Sequence, residues 1–153
     1  MNIKVTNLQS QIAVAIRSTA LTMEKIVEAM NKDYTKLMGY IAEHGKQIAG
    51  APYCFYTNAS EDYTQFDIEL GIPVSDAISV SGEIFMSKTY EGKALVGTHK
   101  GAYKDLEITY CALMDYAKEN SIGITNDCYD YYINNPADTS ESELLTQVVF
   151  PIK

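Results

Sequence analysis

CYDYYINNP (residues 128–136) and PYCFYTN (residues 52–58) are two copies of one strand, and that match decides the fold. Aligned, Tyr53 meets Tyr129, Phe55 meets Tyr131, Tyr56 meets Tyr132 and Asn58 meets Asn134, each pair 76 positions apart. The same offset of 76 holds upstream, where YTKLMGYIAEHG (34–45) matches YCALMDYAKENS (110–121). There Tyr34, Leu37, Met38 and Tyr40 meet Tyr110, Leu113, Met114 and Tyr116. Downstream, FDIELGIPV (66–74) matches LLTQVVFPI (144–152) at an offset of 78, the result of a two-residue loop insertion. IAVAIRSTA (12–20) resembles ALVGTHKGA (94–102), with the offset loosened again. Four matches in one order make the chain a tandem duplication. Two copies are too few for a solenoid, so a pseudo-two-fold domain with a shared groove is expected.

Each half reads strand, helix, strand, strand. The segment 12–20 alternates as a strand does. A helix follows at roughly 22–46, with Met23, Ile26, Val27, Met30, Tyr34, Leu37, Met38 and Ile41 at helical spacing. Thr22 is its expected cap and Gly45 its expected stop. Strands follow at about 52–57 and 65–73. The second half gives a strand at 93–100, a helix at 104–119 burying Leu106, Tyr110, Leu113 and Ala117, and strands at 128–133 and 144–151. Between the halves GEIFMSKTY (82–90) alternates, and EGK (91–93) is expected to turn it as a hairpin into the next strand. The fold class is α+β: an antiparallel sheet with two long helices on one side. The whole chain, 1–153, reads as one domain, with repeats at about 1–78 and 79–153.

Composition narrows the function. A net charge of −8 argues against direct nucleic-acid binding, which calls for a basic face. No apolar run is long enough to span a membrane, and MNIKVTNLQSQ lacks the apolar stretch of a secretory signal. Cys54, Cys111 and Cys128 form no CxxC pair, and His44 and His99 have no partner at ligand spacing, so no metal site is expected. No glycine-rich phosphate loop and no GxSxG is present, and no cofactor is expected. The expected setting is cytoplasmic, with reduced thiols.

Twelve tyrosines and no tryptophan suit the walls of a wet pocket. Side chains alternate along a strand, so Asp130, Tyr132 and Asn134 share one face, and Tyr129, Tyr131 and Ile133 the other. The Asp130 face is the expected pocket face. Cys54, Tyr56 and Asn58 match it in the first half, where Cys54 replaces the acid and makes the pocket asymmetric. A flat organic cation gains about 0.5–2 kcal/mol from each well-placed aromatic contact, and a nearby carboxylate offsets its desolvation. Glu69 and Gln147, on the last strand of each half, are expected to reach the groove. Met38 and Met114 are expected as adaptable walls.

EGKALVGTHKGAYKDL, a helix, YDYYINNP and a closing ELLTQVVFPI, in that order, resemble the GyrI-like small-molecule-binding domain, the effector-binding domain of Rob-type and BmrR-type transcription regulators. The resemblance covers nearly the whole chain and implies a duplicated strand–helix–strand–strand module, the SHS2 repeat. It implies binding of small, often cationic, lipophilic compounds, as in multidrug-binding regulators. Asp130 stands where the family commonly carries a ligand-facing glutamate, and Gln147 where a second one commonly stands. Tyr103, in HKGAYKDL, is a family marker; with Tyr110 it completes the expected ligand-binding set. The regulators carry a helix-turn-helix segment ahead of this domain. Here the first expected strand begins at Ile12, so a stand-alone binding protein is the expectation.

Three functions compete. The first is a binding module for small cationic or aromatic molecules. The second, implied by the resemblance, is a hydrolase of strained cyclopropane-bearing compounds. It needs a general base, which Gln147 cannot supply; no catalytic residue is assigned, and a binder is favoured over an enzyme. The third is an inhibitor acting on a basic protein surface such as gyrase, although the acidity is spread along the chain. The expected partner is a small organic ligand, with a protein partner left open and a monomer or weak homodimer as the assembly.

Overall fold

A computed structural model describes residues 2–153. The elements are β1 (Ile3–Leu8), β2 (Ile12–Leu21), α1 (Met23–Glu43), β3 (Tyr53–Thr57), β4 (Phe66–Pro73), β5 (Ile84–Lys88), β6 (Gly92–Lys100), α2 (Leu106–Glu119), β7 (Cys128–Tyr132) and β8 (Leu145–Pro151). Short 3-10 turns cover Tyr103–Asp105 and Glu141–Glu143. The strands form one eight-stranded sheet in the order β1-β6-β8-β7-β3-β4-β2-β5, and every pairing is antiparallel. The fold is α+β, as the periodicity predicts.

Both helices cover the same face. On α1, Leu37 and Ile41 pack on Val14, Ile16 and Ile72, and Ile26 packs on Ile68 and Leu70. On α2, Leu106, Leu113 and Ala117 pack on Leu95, Val148 and Phe150. The Thr22 hydroxyl accepts from the Lys25 amide, and Gly45, at φ +65°, ends α1 while the Lys46 amide reaches back to the Ile41 carbonyl. The buried stripe of α1 is narrower than its apolar pattern. Met23, Val27 and Met38 are each about half exposed, because only one side of the helix meets the sheet.

The duplication is visible in the strand register. Cys54 lies opposite Asp130, Tyr53 opposite Tyr131, and Phe55 opposite Tyr129. A shift of 76 positions maps this ladder onto itself, so the pseudo-two-fold axis passes between Cys54 and Asp130. The loosened match between β2 and β6 needs correction by one residue. Ala13 pairs with Pro73 and Ala94 with Pro151, so Ala13 corresponds to Ala94 rather than to Leu95. The partner strands decide this, since a slip of one residue turns every side chain to the other face.

The expected hairpin at 91–93 is not formed. β5 pairs with β2, and β6 pairs with β8 and with β1, a strand the sequence reading missed. The outermost strand of each half is thus exchanged into the other half. Three residues, Thr89, Tyr90 and Glu91, connect β5 to β6, and three more connect β1 to β2. Each connection crosses six strand positions, about 29 Å in a flat sheet, whereas so short a segment reaches about 15 Å. The sheet must therefore curl strongly away from its helices. The two crossing segments join on the concave face: the Thr89 amide donates to the Gln11 carbonyl at 2.9 Å, and the Gln11 amide to the Thr89 hydroxyl at 2.8 Å.

Candidate binding groove

The helices make little contact with each other, so β3 and β7 run between them. On the helix side of these strands alternation places Cys54 and Tyr56, then Cys128, Asp130 and Tyr132. Tyr34 reaches in from α1, its hydroxyl donating to the Tyr53 carbonyl at 2.5 Å. Its ring meets Tyr132 edge-on at 6.4 Å. From the second half, Tyr103 meets Tyr132 at 5.4 Å, and the Tyr110 hydroxyl donates to the Asp130 carboxylate. Four tyrosines, Tyr34, Tyr56, Tyr110 and Tyr132, thus lie around one acid at the symmetry axis, and Tyr103 packs against Tyr132.

Asp130 has no exposed surface and no basic partner among the described residues. Its hydrogen bonds come from the Tyr110 hydroxyl and, weakly, from the Cys128 thiol at 3.8 Å. Burial pushes its pKa up to about 7, against the smaller opposing effect of those two bonds. Burial also raises the pKa of Tyr34, Tyr56, Tyr110 and Tyr132, so all four are neutral at physiological pH. The Cys54 thiol is likewise pushed up by burial and then by Asp130, which keeps it uncharged. The axis therefore carries one ionisable acid close to its titration point, ringed by neutral aromatic faces.

The structure brings together Asp130, Tyr132, Tyr56, Tyr103 and Tyr110 from the expected set. It separates the rest. Glu69 and Gln147 lie on the opposite, concave face, so the expectation that they share a groove with Asp130 is corrected. Glu69 pairs with Phe55, and Gln147 with Tyr131, both on the face away from the helices. There the buried Glu69 carboxylate accepts from Tyr53 at 2.6 Å, Ser87 at 2.7 Å and Arg17 at 2.8 Å. Around it Phe55 stacks on Tyr129 at 4.3 Å, and Tyr90 packs on Tyr129 at 5.6 Å. Met38 and Met114 are 51% and 46% exposed, one turn beyond Tyr34 and Tyr110 on the same side of their helices. They stand at the rim rather than forming walls.

Asn134, placed by alternation on the Asp130 face, lies beyond β7. It accepts from the Leu145 amide and donates to the Glu143 carbonyl, pinning the loop. Its repeat mate Asn58 donates instead to a side chain, the Asp67 carboxylate, at 2.9 Å. Tyr34 and Cys128 were not in the expected set. The signals for them were present: Tyr34 is the repeat mate of Tyr110, and Cys128 lies two residues before Asp130 on the same strand.

The GyrI-like small molecule binding domain matches residues 1–153, and the chain belongs to that family. No curated protein matches it significantly. Among solved structures it is similar to the crystal structure of the EcmrR C-terminal domain, at TM-score 0.85 and 18% identity, covering 99% of this chain and 97% of that one. It is similar also to EcmrR in a cryo-EM complex with DNA, at TM-score 0.85 and 19% identity, covering 99% of this chain but only 57% of that one. SAV2435 bound to tetraphenylphosphonium matches at TM-score 0.67 and 15% identity, covering 100% of this chain and 94% of that one. At these identities the structural likeness shows the fold. No helix among the described residues is long and apolar enough to cross a membrane.

Proposed function

We propose that the chain binds small lipophilic organic monocations between α1 and α2, with Asp130 as counter-charge and Tyr34, Tyr56, Tyr103, Tyr110 and Tyr132 as the aromatic enclosure. The single observation that carries this reading is the fully buried Asp130 without a cationic partner among the described residues. A buried carboxylate is costly unless something offsets its charge. An organic cation does so, and the surrounding ring faces favour it further. Tetraphenylphosphonium, the compound bound to SAV2435, fits this chemistry: one delocalised positive charge inside an aromatic shell. Binding moves tyrosine rings aside, since Tyr103, Tyr132 and Tyr34 meet beside the acid. A cytoplasmic site of action fits the three unpaired cysteines.

The test is a thermal-shift titration with tetraphenylphosphonium on wild type, Asp130→Asn and Glu69→Gln. A ligand at about 100 times its Kd adds roughly 2.7 kcal/mol of stability. Wild type and Glu69→Gln shift alike, because Glu69 lies on the other face, and Asp130→Asn does not shift. Loss of the shift in Glu69→Gln with retention in Asp130→Asn moves the site to the concave face.

A further inference from the structure

Resting on that reading, we infer that the ligand carries, besides its positive charge, a neutral hydrogen-bonding group that is held by Thr146. Thr146 is wholly buried, and its hydroxyl has no hydrogen-bond partner among the described residues. It is the only buried side-chain oxygen or nitrogen so placed among them. Such groups are rare in folded proteins, because losing water without replacement is unfavourable. The neighbouring polar groups are already engaged. His99, its partner in β6, holds the Thr109 hydroxyl at 2.7 Å and the Ala102 carbonyl at 2.9 Å. Tyr132, its partner in β7, belongs to the aromatic enclosure.

Thr146 faces the helices, as Val148 does two residues on, and Val148 is the β8 partner of Asp130. One strand spacing and two residues of rise put Thr146 about 8 Å from Asp130. The duplication sharpens the contrast. At the repeat offset of 78 the mate of Thr146 is Ile68, an apolar side chain packed with Ile26, Cys54 and Leu70. The mate of Asp130 is Cys54. Both polar anchors therefore belong to the second half, and the equivalent places in the first half are uncharged and apolar. The ligand lies with its charged and hydrogen-bonding end toward β7 and β8 and its hydrocarbon end toward Ile26, Met30 and Ile68.

The experiment compares two probes, a triphenylphosphonium with an n-pentyl chain and the same cation with a terminal hydroxyl on that chain, on wild type and Thr146→Val. Valine keeps the shape of threonine and removes the orphaned hydroxyl, so the variant folds. The hydroxylated probe binds wild type about five- to tenfold more tightly than the alkyl probe, the size of one net hydrogen bond. In Thr146→Val that advantage disappears while the alkyl probe binds as before. An equal preference in both proteins overturns the Thr146 inference and leaves the cation reading standing. If neither probe binds wild type, both fall together.

Discussion

Replacing Asp130 by asparagine isolates the energetic cost of the acid on the axis. The side chain keeps its shape and can still accept from the Tyr110 hydroxyl. The folded pKa of about 7, against 3.8 for an ordinary aspartate, means that the fold holds a proton which the unfolded chain has released. Between these values the unfolded chain binds fewer protons, so stability falls as pH rises and levels off above the folded pKa. A shift of this size costs the folded state roughly 4 kcal/mol at neutral pH. More than half of it, roughly 2–3 kcal/mol, accrues between pH 5 and pH 8. Asp130→Asn lacks this loss. Its unfolding free energy minus that of wild type therefore grows by roughly 2–3 kcal/mol from pH 5 to pH 8. Urea unfolding followed by far-ultraviolet circular dichroism measures it, since the chain has no tryptophan. Any cost of burying the asparagine amide is independent of pH and drops out of the slope. A difference that stays flat across this range would falsify the raised pKa and the buried-acid argument with it.

Cation affinity should follow the same proton. A bound cation favours the ionised carboxylate, so affinity for tetraphenylphosphonium rises about tenfold from pH 6 to pH 8 and flattens above, as isothermal titration calorimetry would record. Gly71 lies beneath the Tyr53 ring, where an added Cβ would sit 2.3 Å from a ring carbon, so Gly71→Ala should lose about 2–3 kcal/mol in chemical denaturation. At Gly97 the added Cβ would meet the flexible end of Leu113 at 3.1 Å, and Gly97→Ala should cost less than Gly71→Ala in the same assay. Tyr34→Phe removes the hydrogen bond to the Tyr53 carbonyl and should cost about 1 kcal/mol of stability while retaining cation binding, since the ring face remains.

The sequence by itself determined the architecture. Two copies of a strand–helix–strand–strand unit, each with its own periodicity, imply a two-fold sheet with helices on one side, and local propensity suffices to read that. It also put Asp130 and Tyr132 on one face of their strand, because side-chain alternation is a property of the strand alone, and the repeat assigned Tyr56 to the matching face of the other copy. The tertiary structure decided what lay beyond a single element. Glu69 and Gln147 share strands with groove-side residues yet point to the concave face, since pairing register sets which parity of one strand matches which of the next. The hairpin expected at 91–93 is a crossing instead, because β5 finds its partner in β2 through the exchange of outer strands between the halves. Asp130 became a buried acid, and Thr146 an orphaned hydroxyl, only when helices and neighbouring strands closed over them. Burial is a property of the assembled layers, and a linear pattern of residues carries no measure of it.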